Sequence, residues 1–291
     1  MSSTDDTVPQ LISRTLTVKT FGMTDKGRVR PANEDHFLIA ELTKAMRISQ
    51  TSLPDEKTQF GEERGHLFLV ADGMGGHHGG EHASALAILA IQQFTLNTLK
   101  WFFESNTQEA ARVLSAFQTA LREADVRVRE EAADHQELKG MGTTVTMAYH
   151  LDAQLCVVHV GDSRAYLYRG DELHQLTRDH TLVADMVRSG AIQQEDAAGH
   201  RLRHVITNVV GGDEAGVKVE AHAVEVRAGD RLLLCSDGLT EMVTDDVIAA
   251  TLRAELEPEA ACTKLVAQAN EAGGRDNVTV LIVRFDPEQS G

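Results

Sequence analysis

At 291 residues the chain can bury a sizeable core, and its 42% apolar content is that of a globular protein. Its 28 basic and 44 acidic residues leave a formal charge of −16, which argues against nucleic acid or an anionic membrane as the main partner. Three scattered cysteines, Cys156, Cys235 and Cys262, exclude a disulfide framework or a cysteine zinc site, and no stretch has membrane-spanning length or a secretory pattern, so a cytoplasmic protein without membrane partners is expected.

Residues 1–14 are polar and expected to fray, and 15–21 alternate as a strand should. Pro31 makes a loop of Arg30 to Asp35, which leads into an apolar run at 37–40. The polar tract 41–65 reads as a hairpin excursion or surface loop. A second apolar run, 67–71, ends at Asp72-Gly73-Met74-Gly75-Gly76, where glycines allow sharp turns and close approach of a ligand. Helical spacing of Ala, Leu and Ile follows over 81–99, and a longer amphipathic helix over 107–133. His78 and His82 are four apart on the first helix and His77 lies nearby, but the His-Glu-x-x-His order of a zinc enzyme is missing.

Small residues at 140–144 introduce strands at 143–150, 155–160 and 164–168, with Gly161-Asp162-Ser163-Arg164 between the last two. A short helical segment over 182–189 precedes a weakly periodic, polar tract at 191–216; together these read as a flap at about 183–216. The apolar strand 231–236 runs into Asp237-Gly238, helices are expected over 245–255 and 259–272, and Gly274-Arg275-Asp276-Asn277 turns into a last strand at 278–285. With no repeat and no linker-like tract, one domain over 15–286 is expected.

A lone Asp-Gly is an ordinary turn signal, yet here several strand-like runs each end in or begin beside an acid: Glu34, Asp35, Asp72, Asp162, Asp237 and Asp276. Like charges brought together raise one another's pKa, so such a cluster is tolerable mainly around cations. Oxygen donors without histidine or cysteine select hard ions such as Mg²⁺ or Mn²⁺. A pair of such ions about 3.5–4 Å apart can activate a water for attack on a phosphoryl group, and Arg30 suits bidentate binding of phosphate. A nucleotide-binding Gly-x-x-x-x-Gly-Lys loop is missing, and no cysteine is followed six residues later by an arginine, as a thiol phosphatase loop would require.

The ordered set Arg30…Asn33-Glu34-Asp35, Asp72-Gly73-Met74-Gly75-Gly76, Gly142-Thr143-Thr144, Gly161-Asp162-Ser163-Arg164, Ser236-Asp237-Gly238 and Gly274-Arg275-Asp276-Asn277 resembles the PPM-type, or protein phosphatase 2C-like, family of metal-dependent protein serine/threonine phosphatases in its bacterial stand-alone form. The resemblance implies an α+β fold, a four-layer α-β-β-α sandwich with the metal cleft at one end. It further implies that Asp72 bridges two Mn²⁺ or Mg²⁺ ions, Asp237 and Asp276 share one of them, and Glu34 with the Gly73 carbonyl serves the other. Asp35 would orient metal-bound water, Asp162 with Asp237 would hold a weaker third ion, and Arg30 would bind the substrate phosphate. The histidine that follows Asp-Gly in the best-known eukaryotic members is Met74 here, and a thioether donates no proton; a metal-bound water is the expected source rather than His77 or His78.

The expected activity is removal of phosphate from phosphoserine and phosphothreonine in proteins, opposing a serine/threonine kinase with the same targets, by a monomer. The alternatives are a regulatory module that binds phosphoproteins without turnover and a hydrolase of small phosphoesters.

Overall fold

The computed structural model describes residues 16–47, 58–75, 78–98, 107–197 and 199–288. The expected fray at 1–14, the middle of the 41–65 excursion and His77 lie outside them. In chain order the strands and helices are β1 (Leu16–Asp25), β2 (Asp35–Arg47), β3 (Thr58–Met74), α1 (Gly79–Thr98), α2 (Thr107–Asp134), β4 (Gly142–Thr143), β5 (Val145–Leu151), β6 (Gln154–Val160), β7 (Arg164–Arg169) and β8 (Glu172–Gln175). They continue with α3 (Leu182–Arg188), α4 (Gln194–Ala197), β9 (Val210–Gly211), β10 (Glu220–Glu225), β11 (Arg231–Cys235), α5 (Asp237–Thr240), α6 (Asp245–Ala254), α7 (Pro258–Glu271) and β12 (Val278–Pro287).

Two antiparallel sheets carry the fold. One has the order β1-β12-β11-β7-β8; the other runs β10-β6-β5-β3-β4-β9, with β2 paired to β3. Each central strand is covered on both faces, which is why the sequence shows unbroken apolar runs rather than alternation. Phe68, Val70, Ala148 and Val157 of one sheet meet Leu232, Leu234, Leu281 and Phe285 of the other. On its far face the first of these sheets packs Leu67, Leu69 and Met147 against Ile91, Phe117 and Leu121 of α1 and α2. The opposite sheet sets Leu233, Cys235, Val280 and Ile282 against Ile248, Leu252, Leu265 and Val266 of α6 and α7. Three apolar interfaces therefore separate four layers, in the order helix, sheet, sheet, helix.

In the described parts of the tract 41–65, expected to be a hairpin excursion or surface loop, β2 and β3 extend and pair from Asp35↔Asp72 outward to Arg47↔Thr58, with one irregularity between Thr43 and Ala45. Two edge elements, β8 and β10, were not foreseen, because their burial is shallow and their sequences carry little apolar signal. Within 182–216 the chain forms α3, α4 and β9. The base of that excursion is closed by the bridge Thr181↔Ile206 and by a bond of 2.8 Å from the Leu182 N–H to the Val205 carbonyl.

His150 lies at the end of the sandwich away from Asp72, across from His66 in the β3–β5 register and 4.8 Å from the Phe285 ring. It is 2% exposed, and neither ring nitrogen has a hydrogen-bond partner among the described residues. Burial, with His66 adding to it, pulls its pKa from 6.5 down to about 4. Between those values the unfolded chain takes up a proton that the folded one refuses, so stability falls as pH drops through this window. Urea unfolding at pH 7 and pH 4.5 should show a loss in the wild type larger by about 2 kcal/mol than in His150→Leu; equal losses in the two proteins would contradict this account.

Candidate metal centre

Strand pairing sets the geometry of the acids. Asp35 opens β2 directly opposite Asp72 on β3, and Gly73 follows in register with Thr143. Asp162 lies in the turn between β6 and β7, and Asp237 is the first residue of α5, just after β11. Because β11 pairs with both β7 and β12, its Cys235 stands opposite Arg164 on one side and Val280 on the other. That register delivers Asp162, Asp237 and Asp276 to the same end of the sandwich.

Asn277 fastens the loop carrying Arg30 and Glu34 at three points. Its Nδ2 donates to the carbonyls of Lys26 and Ala32, each at 2.9 Å, and its Oδ1 accepts from the Glu34 N–H at 2.8 Å. The Gly73 N–H then donates to the Glu34 carbonyl at 3.2 Å. A glycine is required at 238, since a Cβ there would fall 1.9 Å from the Asn277 carbonyl oxygen. Asp35 sits one layer behind the others. Its Oδ2 accepts from Ser236 Oγ and Thr279 Oγ1, both at 2.7 Å, while its buried Oδ1 has no partner among the described residues.

Arg30, Glu34, Asp72, Gly73, Asp162, Asp237 and Asp276 line one cavity of about 480 Å³. Thus six of the seven residues expected in the metal site share a wall, and the seventh, Asp35, supports it. A second cavity of about 350 Å³ adjoins the first, sharing Asp162 and Asp237 and running beneath α3 and α4. Arg203, His204, Ile206, Glu241 and Arg275 also line the main cavity, and none of them was singled out from the sequence. Arg275 stands within the Gly-Arg-Asp-Asn turn, where its neighbour Asp276 offered a signal; the Arg203–Ile206 stretch lies in a tract without periodicity and offered none. The His204 imidazole stands against the Glu241 carboxylate. His78 and His82 face Glu81 and Glu131 instead, outside the cavity.

The carboxylates are poorly compensated by the protein itself. Burial first, then Asp35, Asp237, Asp162 and Asp276, holds Asp72 well above the ordinary carboxylate range. Asp237 is likewise raised by burial and by Asp162, Asp276 and Glu241. Burial and Asp179 push Asp162 up to about 7, and burial pushes Asp35 up to about 6 despite its two hydroxyl donors. Glu34 is raised by burial, with Arg30 working against it. Among the described residues, the one direct contact of a basic side chain with these acids is from Arg30 Nη2 to Asp276 Oδ2, at 2.5 Å.

These observations fit a hard divalent cation. The donors are all oxygen, Asp162 Oδ1 and Asp35 Oδ1 are buried without partners among the described residues, and ionising the cluster without a cation is costly. Among the described residues no three acid, imidazole or thiol side chains already close on one point.

A family profile described as Protein phosphatase 2C matches residues 45–270. The serine/threonine phosphatase stp of Listeria innocua is 32% identical over 268 residues, which cover 92% of this chain and 96% of that protein. The crystal structure of the Mycobacterium tuberculosis serine/threonine phosphatase PstP/Ppp superposes with a TM-score of 0.74 at 32% identity, covering 92% of this chain and 99% of that one. A structure of the PstP catalytic domain in complex with two manganese ions matches at a TM-score of 0.72 and 32% identity, over 94% of this chain and 100% of that one.

The electrostatics predict a crossover in stability. In chelator at pH 7, Asp72→Asn should be more stable than wild type by about 1–2 kcal/mol, because the unfolded chain no longer gains by ionising a carboxylate whose ionisation burial disfavours in the fold. Mn²⁺ at about a hundred times its Kd should stabilise the wild type by about 2.7 kcal/mol and the variant far less. Urea midpoints with and without Mn²⁺ test this; a variant less stable than wild type in chelator, or equally stabilised by Mn²⁺, would contradict it.

Proposed function

The chain belongs to the protein phosphatase 2C family, and from that membership we propose that its acid-lined cavity is where phosphoserine and phosphothreonine of proteins are hydrolysed. It is a metal-dependent protein serine/threonine phosphatase, a phosphoric monoester hydrolase acting on phosphoproteins. The observation that carries the placement of the activity is the convergence of Glu34, Asp72, Asp162, Asp237 and Asp276 on one cavity, with Arg30 bonded to Asp276.

In this reading Asp72, Asp237 and Asp276 would hold one Mn²⁺ or Mg²⁺ ion, and Asp72 with Glu34 and the Gly73 carbonyl would hold a second. Asp162 with Asp237 would hold a weaker third ion. A divalent pair bound there supplies a water of lowered pKa and an electrostatic clamp on the phosphoryl oxygens. The protein's own groups do the rest. Asp35, anchored by Ser236 and Thr279, keeps one oxygen free to accept from and orient a water. Arg30 commits one nitrogen to Asp276 and has further donors with which to hold phosphate oxygens in a fork. Met74 lines the cavity and is 39% exposed, but carries no proton to give.

The excursion from Thr181 to Ile206 serves as a flap over a single catalytic domain, because Arg203, His204 and Ile206 reach the main cavity while Val183, Ala184 and Val187 line the adjoining one. A serine/threonine kinase with the same targets is the expected counterpart, and no helix among the described residues is long and apolar enough to cross a membrane. A cytoplasmic site of action and a monomeric state accord with this reading.

Asp237→Asn tests the assignment, since it removes one carboxylate charge with little change of shape. Mn²⁺-dependent release of phosphate from a phosphothreonine peptide should fall at least about 100-fold, on the scale of losing a principal electrostatic contributor. Circular dichroism should remain that of the wild type. Activity within about three-fold of wild type would remove Asp237 from the centre, and a wild-type preference for metabolite phosphoesters over phosphopeptides would redirect the substrate assignment.

A further inference from the structure

Asp162 is held through its neighbour, Gly161. With φ at +113°, Gly161 has a conformation that side chains resist, and a Cβ there would stand 2.5 Å from Thr144 Cβ. Thr144 is itself tied to the centre: its Oγ1 accepts from the Asp72 N–H at 3.0 Å and meets Ser163 Oγ at 2.7 Å. On its other side, both backbone polar groups of Gly161 bond to His180, while His159 Nε2 also reaches the Gly161 carbonyl at 3.0 Å. The Gly161 N–H donates to His180 Nδ1 at 3.0 Å, and the Gly161 carbonyl accepts from the His180 N–H at 2.8 Å.

His180 is also where the two ends of the 181–206 excursion meet. Its carbonyl accepts from the Thr207 N–H at 2.8 Å and from Thr207 Oγ1 at 3.1 Å, next to the Thr181↔Ile206 bridge. Asn208 Nδ2 approaches Nδ1 at 3.0 Å, and that amide is oriented by Lys218, whose N–H donates to Asn208 Oδ1 at 3.0 Å and whose carbonyl accepts from Asn208 Nδ2 at 2.8 Å. Two donors therefore point at Nδ1, which assigns His180 as the neutral tautomer with its proton on Nε2. One residue thus connects the turn that presents Asp162 with the base of the segment that roofs both cavities, its imidazole joining Gly161 to Asn208 and its backbone joining Gly161 to Thr207.

We infer that His180 is a positioning residue that couples the excursion to the Asp162 turn, so that engagement of a phosphoprotein segment by the excursion and capture of a divalent ion at Asp162 strengthen each other. This rests on the proposed roles of Asp162 as an ion ligand and of the excursion as a substrate-contacting flap. Such coupling is reciprocal: a ligand that orders the excursion must tighten the ion, and the ion must tighten that ligand. A small aryl phosphate fills the main cavity without reaching α3 and α4, and so lacks the effect.

The test is the Mn²⁺ concentration for half-maximal activity, measured with a saturating phosphothreonine peptide and with para-nitrophenyl phosphate. In the wild type the peptide should lower that concentration at least about five-fold relative to the aryl phosphate, the lower end of ordinary coupling. In His180→Asn the amide oxygen can take the place of Nδ1 as acceptor, and the five-fold difference should persist. In His180→Gln the acceptor is displaced to the Nε2 position, and the difference should vanish while the thermal midpoint stays with that of His180→Asn. A purely structural role would move that midpoint instead.

Should His180→Gln fail to fold, Thr207→Val, which removes the hydroxyl donor to the His180 carbonyl, must shrink the difference at least two-fold. The proposal is overturned if the wild type shows no difference between substrates, if His180→Gln keeps the five-fold effect, if both His180 variants lose it alike, or if Thr207→Val leaves it intact. Mn²⁺-dependent hydrolysis of para-nitrophenyl phosphate by the wild type would persist in each of those cases, so the phosphatase reading is judged separately.

Discussion

Everything at the centre follows from a register constraint: β11 is hydrogen-bonded between β7 and β12, and β2 begins opposite the end of β3. Those pairings place acids from distant parts of the chain at one end of the sandwich, where apolar strands stop and backbone turns begin. Side-chain direction in a strand alternates, so a slip of one residue would turn the carboxylates away from one another. The three apolar interfaces that fix the register are thus as much part of the site as the acids are, although no apolar core residue needs to touch the substrate.

The cluster is a local departure from the rule that buried charges are neutralised by their neighbours. Elsewhere the protein obeys it. Arg164 is paired with Asp179 through two nitrogens, at 2.9 and 2.6 Å, and Arg169 grips Asp230 in the same bidentate way. At the centre, by contrast, Asp72 and Asp237 have no basic side chain bonded to them among the described residues. Folding energy from the surrounding layers sustains this local instability, and the instability is what gives the site its affinity for a hard cation.

Much of this was legible in the amino-acid sequence because the signals were local. Unbroken apolar runs marked strands buried on both faces, and the acids beside them marked strand ends. The fold layers and the placement of Arg30, Glu34, Asp72, Gly73, Asp162, Asp237 and Asp276 around one cavity came from motif order, since no spacing in the chain discloses which strand ends are neighbours. The edge strands β8 and β10 escaped notice because an edge buries too little to demand an apolar pattern. Arg203 and His204 escaped because their position depends on how the excursion folds back over the centre. Asp35 carried a signal, but its place behind the cavity wall, bonded to Ser236 and Thr279, is tertiary information.

The most direct test of the central claim is anomalous diffraction at the manganese edge from crystals grown with Mn²⁺. Two strong peaks should stand in the cavity, one bounded by Asp72, Asp237 and Asp276 and the other by Asp72, Glu34 and the Gly73 carbonyl. Peaks only at surface groups such as Glu81 or Glu131, or carboxylates turned away from an ion-free cavity, would contradict it.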